Sequence, residues 1–231
     1  MRIGLRAAVL GLAWLGLWAC PYAVCSGVQD ERDPFVRSLD EENLPRFREV
    51  CAALSARPLV RGEFRQKKIL KRLGRVLESS GHFIIARDFG LVWETIAPFP
   101  SIMALGPDYV IQSVPGGQDT RLEASGNETF MRLARVMRLV FSGQGEALGE
   151  EFQVFFQAGG PRWFLGLVPA DGGIGAFIAR ISLSGDTVLR RVAVDEAGGD
   201  RIEYELSGHV YPDGPDGPYG LSERERALFG K

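Results

Sequence analysis

Histidine is nearly missing from this 231-residue chain, which has two, and cysteine is scarce, with three. His82 and His209 stand far apart in sequence, and no motif supports a histidine-based triad. There is no Gly-x-Ser-x-Gly elbow, no His-Glu-x-x-His and no Cys-x-x-Cys. Gly172-Gly173-Ile174-Gly175 lacks the third glycine of a dinucleotide loop and reads as a hairpin turn. Carboxylates are many but scattered, so no paired-acid site can be chosen. Charge of one sign is also lacking: 27 Lys and Arg against 29 Asp and Glu give a formal −2, without the basic excess of a dedicated nucleic-acid binder. Only one long apolar run exists, at the N-terminus, which excludes a polytopic membrane protein. These absences point away from an enzyme and from a metal or cofactor site.

What is present is an ordinary globular composition, 45% hydrophobic and 24% charged, too apolar for a disordered chain. Glycine (29) and proline (13) punctuate many short apolar stretches, which leans towards β structure. Residues 1–26 read as a secretory signal: Arg2 and Arg6, then an apolar run, then small residues at Ala23, Cys25 and Ser26. An uncleaved anchor helix is one alternative. A lipobox is another, because Leu17-Trp18-Ala19-Cys20 places a leucine three residues before a cysteine. Acylation of Cys20 would tether the mature protein to a membrane. Cleavage after Ser26 removes two positive charges, so the mature charge becomes −2 − 2 = −4. Cys51 then has no partner and reads as a small buried hydrophobe.

Beyond the signal, residues 27–40 read as a flexible leader, 41–210 as one domain and 211–231 as an irregular tail, within which Ser222-Glu223-Arg224-Glu225 opens a short helix. Leu44, Phe47, Val50, Cys51 and Leu54 recur at helical spacing and end before Pro58. From Leu59 the period shifts towards two. Strands are predicted over 60–70, 81–86, 91–96, 101–105, 109–113, 152–156, 163–168, 178–183, 188–194 and 201–207. A second helix is predicted over 128–141, capped by Asn127, with Phe130, Leu133 and Met137 on one side and Arg132, Arg135 and Arg138 on another. The fold class is therefore mainly β: one curved antiparallel sheet of roughly nine to eleven strands, covered by helices over an apolar hollow. Arg65, Lys67, Lys68, Lys71, Arg72 and Arg75 fall within eleven residues. They read either as a solvated hairpin or as a dock for acidic head groups or an acidic partner.

The segment 62–105 carries Gly62-Glu63-Phe64-Arg65-Gln66, then Ser80 through Arg87, then Gly90-Leu91-Val92-Trp93-Glu94-Thr95 and Pro98-Phe99-Pro100. Further on come Phe152 to Phe156 and Trp163-Phe164-Leu165-Gly166-Leu167-Val168-Pro169. In this order they resemble the LolA family of periplasmic outer-membrane lipoprotein carriers, in particular its divergent branch. The resemblance implies an incomplete antiparallel β-barrel closed by helices, with an apolar cavity for acyl chains. It implies a monomeric periplasmic carrier without cofactor, loaded by an inner-membrane transporter and unloaded by an outer-membrane acceptor. A membrane-anchored acceptor of the same fold, or a carrier of another lipid or glycolipid, are the alternatives. Each buried CH₂ of an acyl chain is worth about 0.8 kcal/mol, so such cargo does not cross water unshielded. Phe64, Phe83, Ile85, Trp93, Phe99, Ile102, Phe152, Val154, Phe156, Trp163 and Leu165 are the expected cavity wall. By the resemblance Arg87 latches the lid, although Asp88 follows it where the family has proline, and the 128–141 helix with Phe130, Leu133 and Met137 is the lid.

Overall fold

Eleven strands form one antiparallel sheet, and the first and last of them lie side by side at its middle. The computed structural model describes residues 32–106, 109–114, 120–122, 135–136, 138–139, 144–170, 175–211 and 220–229, all within the unit Arg32–Lys231. The signal, Cys20, Cys25, Asn127, Phe130, Leu133 and Met137 lie outside the described residues. So does most of the predicted 128–141 helix, of which 135–136 and 138–139 are helical.

In chain order the elements are α1 (Leu44–Ser55), β1 (Leu59–Leu70), β2 (Arg75–Ala86), β3 (Gly90–Ala97), β4 (Ser101–Leu105), β5 (Val110–Ser113) and β6 (Thr120–Leu122). Then follow β7 (Phe152–Gly159), β8 (Arg162–Pro169), β9 (Ile178–Gly185), β10 (Leu189–Glu196), β11 (Arg201–Val210) and α2 (Glu223–Leu228). The spatial order is β6-β5-β4-β3-β2-β1-β11-β10-β9-β8-β7. Every neighbour pair is a hairpin neighbour in sequence except β1 and β11, joined from Arg61↔Val210 to Ile69↔Arg201 with an irregularity between Arg61 and Glu63. The sheet is curved and unclosed, with β6 and β7 as its outer strands.

α1 forms because Phe47, Val50, Cys51 and Leu54 make one buried stripe at i, i+3, i+4 and i+7. Its start is held by Asn43, whose amide donates to the carbonyls of Ser38 (3.0 Å) and Phe156 (3.1 Å). Burying each large side chain of the stripe contributes about 1.5–3 kcal/mol. That stripe packs on the inner face of the sheet, where one core runs through β1–β4 and β7–β11.

A second, smaller core lies on the outer face. Leu59, Ala86, Val92 and Ala104 alternate with the inner residues along β1–β4, and Leu221 and Phe229 cover them. Ile84, Ile102 and Leu228 pack against this cluster. The segment read as an irregular tail thus contains a docked helix. Ser222 and Glu225 form a reciprocal capping box at its start. Arg61 fixes it to the sheet through Glu225 (2.6 and 2.7 Å) and the Gly220 carbonyl (2.7 Å).

The segment read as a flexible leader is also partly built in. The Leu39 amide donates to the Val154 carbonyl (2.8 Å), the Phe156 amide donates to Arg37 (2.9 Å), and the Phe35 ring meets Phe155 edge-on at 5.7 Å. This arm lies along β7, the outer strand that would otherwise expose unpaired backbone groups.

Candidate functional site

Nine of the eleven predicted wall residues share the inner core: Phe64, Phe83, Ile85, Trp93, Phe152, Val154, Phe156, Trp163 and Leu165. The register explains the grouping. Phe83 stands opposite Trp93, and Phe64 opposite Gly81, so three large rings meet across β1, β2 and β3. Phe64 lies 4.4 Å and Phe83 6.0 Å from Trp93, ring centre to ring centre, and Tyr204 of β11 meets Trp93 edge-on at 4.9 Å. Gly62 makes room for this cluster, since a Cβ there would stand 2.6 Å from the Phe83 ring.

Phe99 and Ile102 do not belong to the wall. Phe99 sits in the β3–β4 turn and is 81% exposed. Ile102 points to the outer face and packs against the second core. The strand period places it there, because Met103 and Leu105 are the β4 residues that meet the inner core.

An apolar pocket opens where the end of α1 meets the sheet. Leu54, Val60, Phe83, Ile85, Leu189 and Leu206 form its walls. Arg57 and Tyr211 also line it, and the Arg57 guanidinium lies 3.6 Å above the Tyr211 ring. The room inside amounts to about 10 Å³, enough for roughly one water. His209 reaches the same pocket after Gly208, a left-handed residue (φ 59°) beside the irregular Arg61–Glu63 register. Burial, then the charge of Arg190, lowers the His209 pKa, so its imidazole is neutral at pH 7.

Two buried ring nitrogens on this face have no hydrogen-bond partner among the described residues: Trp93 Nε1 and His209 Nδ1. Leaving a buried polar group unpaired costs about 1–3 kcal/mol. Trp163, on the same face, shows the ordinary arrangement, its Nε1 donating to the Asp186 carbonyl at 2.7 Å. Trp93 Nε1 is therefore a buried donor left open on the inner face, while His209 leaves only Nδ1 open, its ring also bonding to the Leu189 backbone. Sequence reading missed His209, Arg57 and Tyr211. Their signal is weak, since each stands at the end of an element rather than within a periodic run.

Arg87 follows β2. Its Nη1 donates to the Ser55 carbonyl at the end of α1 (3.0 Å), and its Nε lies 3.6 Å from Asp88. A cation at a helix C-terminus meets carbonyls that lack intrahelical partners. Asp88 thus shares Arg87 without removing it from α1. Arg87, Asp88, Arg138, Leu139 and Gln144 line an open cleft of about 510 Å³ next to this junction. Cys51 is buried in α1, and burial followed by the charge of Glu146 pushes its thiol up to about 11, so it is not a thiolate nucleophile at neutral pH. Among the described residues no cluster of three or more His, Cys, Asp or Glu could hold a metal, and no helix is long and apolar enough to cross a membrane.

The architecture is a mainly β, unclosed antiparallel sheet with few helices and an aromatic-lined inner face. No protein-family model matches the chain, and no curated protein does. Similar solved structures include a LolA superfamily protein from Nitrosomonas europaea, 10% identical with a TM-score of 0.43, covering 77% of this chain and 97% of that one. A DUF1329 family protein from Desulfovibrio piger is 12% identical with a TM-score of 0.48, covering 79% of this chain and 96% of that one. A putative outer membrane lipoprotein-sorting protein domain from Vibrio parahaemolyticus is 12% identical with a TM-score of 0.40, covering 81% of this chain and all of that one. At such values what this chain binds rests on its own residues.

Proposed function

We propose that this protein is an exported periplasmic carrier that shields the acyl chains of lipoproteins on the inner face of its sheet. The observation that carries the reading is that the inner face holds both an apolar pocket and an unpartnered buried donor, Trp93 Nε1. An acyl chain joined through an ester or amide needs that combination: apolar wall for the chain and a buried donor for the carbonyl. The pocket as it stands is too small for a chain, so α1 must move away from the sheet to admit one. Leu54 contributes the helix wall, and the Arg87 bond to Ser55 is the contact that such movement breaks. The resemblance of the ordered strand motifs to lipoprotein carriers supports the same cargo class.

The test is release. Spheroplasts bearing labelled, newly acylated lipoproteins are incubated with the purified protein and a competent loading transporter. Soluble lipoprotein in a one-to-one complex is the expected result. Absence of release by the folded protein would overturn the lipoprotein cargo.

A further inference from the structure

One rim of the sheet collects most of the exposed apolar side chains. The β1–β2, β3–β4 and β10–β11 turns lie at this rim, as do the end of β5 and the start of β9. Leu73, Val76 and Leu77 in the β1–β2 hairpin are 68%, 55% and 53% exposed. Beside them, Ile96 and Phe99 are 51% and 81% exposed. Val114 and Phe177 are exposed at the same rim, whereas the opposite rim, where the apolar pocket lies, exposes Val210.

On its β2 side the hairpin also projects, while on its β1 side it ends level with the β10–β11 turn. β2 pairs with β3 only from Ser80 to Ala86, while its pairing with β1 continues to Arg75↔Leu70. The last turn of the hairpin therefore stands beyond β3. Cations are interleaved with its apolar residues. Lys67 and Lys68 are matched by Glu78 (3.8 Å) and Glu196 (3.4 Å). Asp195 and Glu203, also at this rim, are engaged by Arg201 at 2.7 Å each. The side chains of Lys71, Arg72 and Arg75 have no acidic partner among the described residues, and Asp200 spends a carboxylate oxygen on the Lys71 backbone amide (3.0 Å).

We infer that this hairpin docks the protein on a bilayer surface that carries anionic phospholipid headgroups. Leu73, Val76 and Leu77 enter the headgroup boundary while Lys71, Arg72 and Arg75 meet the phosphates. A projecting tip of a few residues suits a lipid surface. Cations without acidic partners among the described residues, interleaved with exposed apolar side chains, match an anionic headgroup layer that lies over an apolar interior. This docking stands apart from the cargo reading and does not depend on it.

The test is co-sedimentation with phosphatidylglycerol-containing vesicles and with pure phosphatidylcholine vesicles. The protein is expected to bind the first and not the second, and to be released at about 1 M salt, where charges are screened beyond ~3 Å. Each cation near such a surface is worth about fivefold in affinity, so K71Q/R72Q/R75Q is expected to lose on the order of a hundredfold. L73S/V76T/L77S, with an unchanged melting curve, is expected to lose at least about tenfold. Equal binding to both vesicle types, no binding by the wild type, or full binding by either folded variant would overturn the proposal. Wild-type salt dependence reads the same claim without any variant.

Discussion

On the inner face of the sheet, Phe64, Phe83 and Trp93 crowd together, while α1 packs Phe47 against Phe156 at 5.3 Å and sets Leu54 beside Phe83. On the outer face, Ala86, Val92 and Ala104 are small, and Leu221 and Phe229 seal them. Both faces belong to the same four strands, β1–β4, so backbone alternation alone sorts the residues between them. The difference is one of side-chain size and polar satisfaction. Large rings crowd together there, and two ring nitrogens of that face, Trp93 Nε1 and His209 Nδ1, stay unpartnered among the described residues. Small residues let a short helix sit close, and its polar groups are met: Arg61 holds Glu225, and the Tyr109 hydroxyl donates to the Phe229 carbonyl. A face built for closure satisfies its polar groups internally, and a face built for a guest leaves some unsatisfied.

The sharpest way to break this contrast is Phe64→Ala. Phe64 is 1% exposed in the centre of the inner core, and truncation is expected to cost about 3–5 kcal/mol. The melting temperature of the whole domain should then fall by about 6–20 °C, at about 2–4 °C per kcal/mol. A loss on the outer face should be smaller and local. Arg61→Ala removes charge-assisted hydrogen bonds to Glu225 and is expected to cost about 2 kcal/mol, with hydrogen exchange accelerated first in residues 220–229. Uniform acceleration across the sheet would contradict a separate outer core.

Acid sharpens the same point. The Arg61 hydrogen bonds hold the Glu225 carboxyl down to about 2, below the ordinary 4.5. Because the folded value is depressed, its stabilisation is present above about 4.5 and is lost as pH falls towards about 2. Docking of α2 should weaken across that window in the wild type and stay flat in Glu225→Gln. The smallest effect on stability is expected for Arg87→Ala, which removes one exposed-side bond to Ser55, about 1 kcal/mol. If α1 moves to admit cargo, this variant should nevertheless change the rate of acyl uptake or release several-fold. Unchanged rates would remove Arg87 from the opening step.

Much of the inner face was legible because Phe83 and Ile85, or Phe152, Val154 and Phe156, repeat at period two in sequence. Half of β2 was not. Arg75-Val76-Leu77-Glu78 places two apolar residues in succession, and both are exposed, so no alternation marks it as strand. Phe99 misled because an aromatic residue between prolines has the composition of a wall and the position of a turn. Ile102 misled through parity, which is fixed only once the register Ile102↔Glu94 is known. The leader looked featureless because, apart from the single Phe35 ring on Phe155, its anchoring uses backbone groups of residues 37–39, which leave no mark in side-chain pattern. The docked tail was hidden for a related reason: Leu221 and Phe229 are single apolar residues flanking a charged helix.

The central claim is that the inner face yields to an acyl chain, and a fluorescent palmitoyl probe titrated into the purified protein tests it most directly. The account predicts saturable binding of one probe per protein, and loss of that binding in folded Ile85→Phe, whose larger ring takes up the room for about one water beside Phe83 and Leu189. No saturable binding by the wild type, or unchanged binding by folded Ile85→Phe, would contradict it.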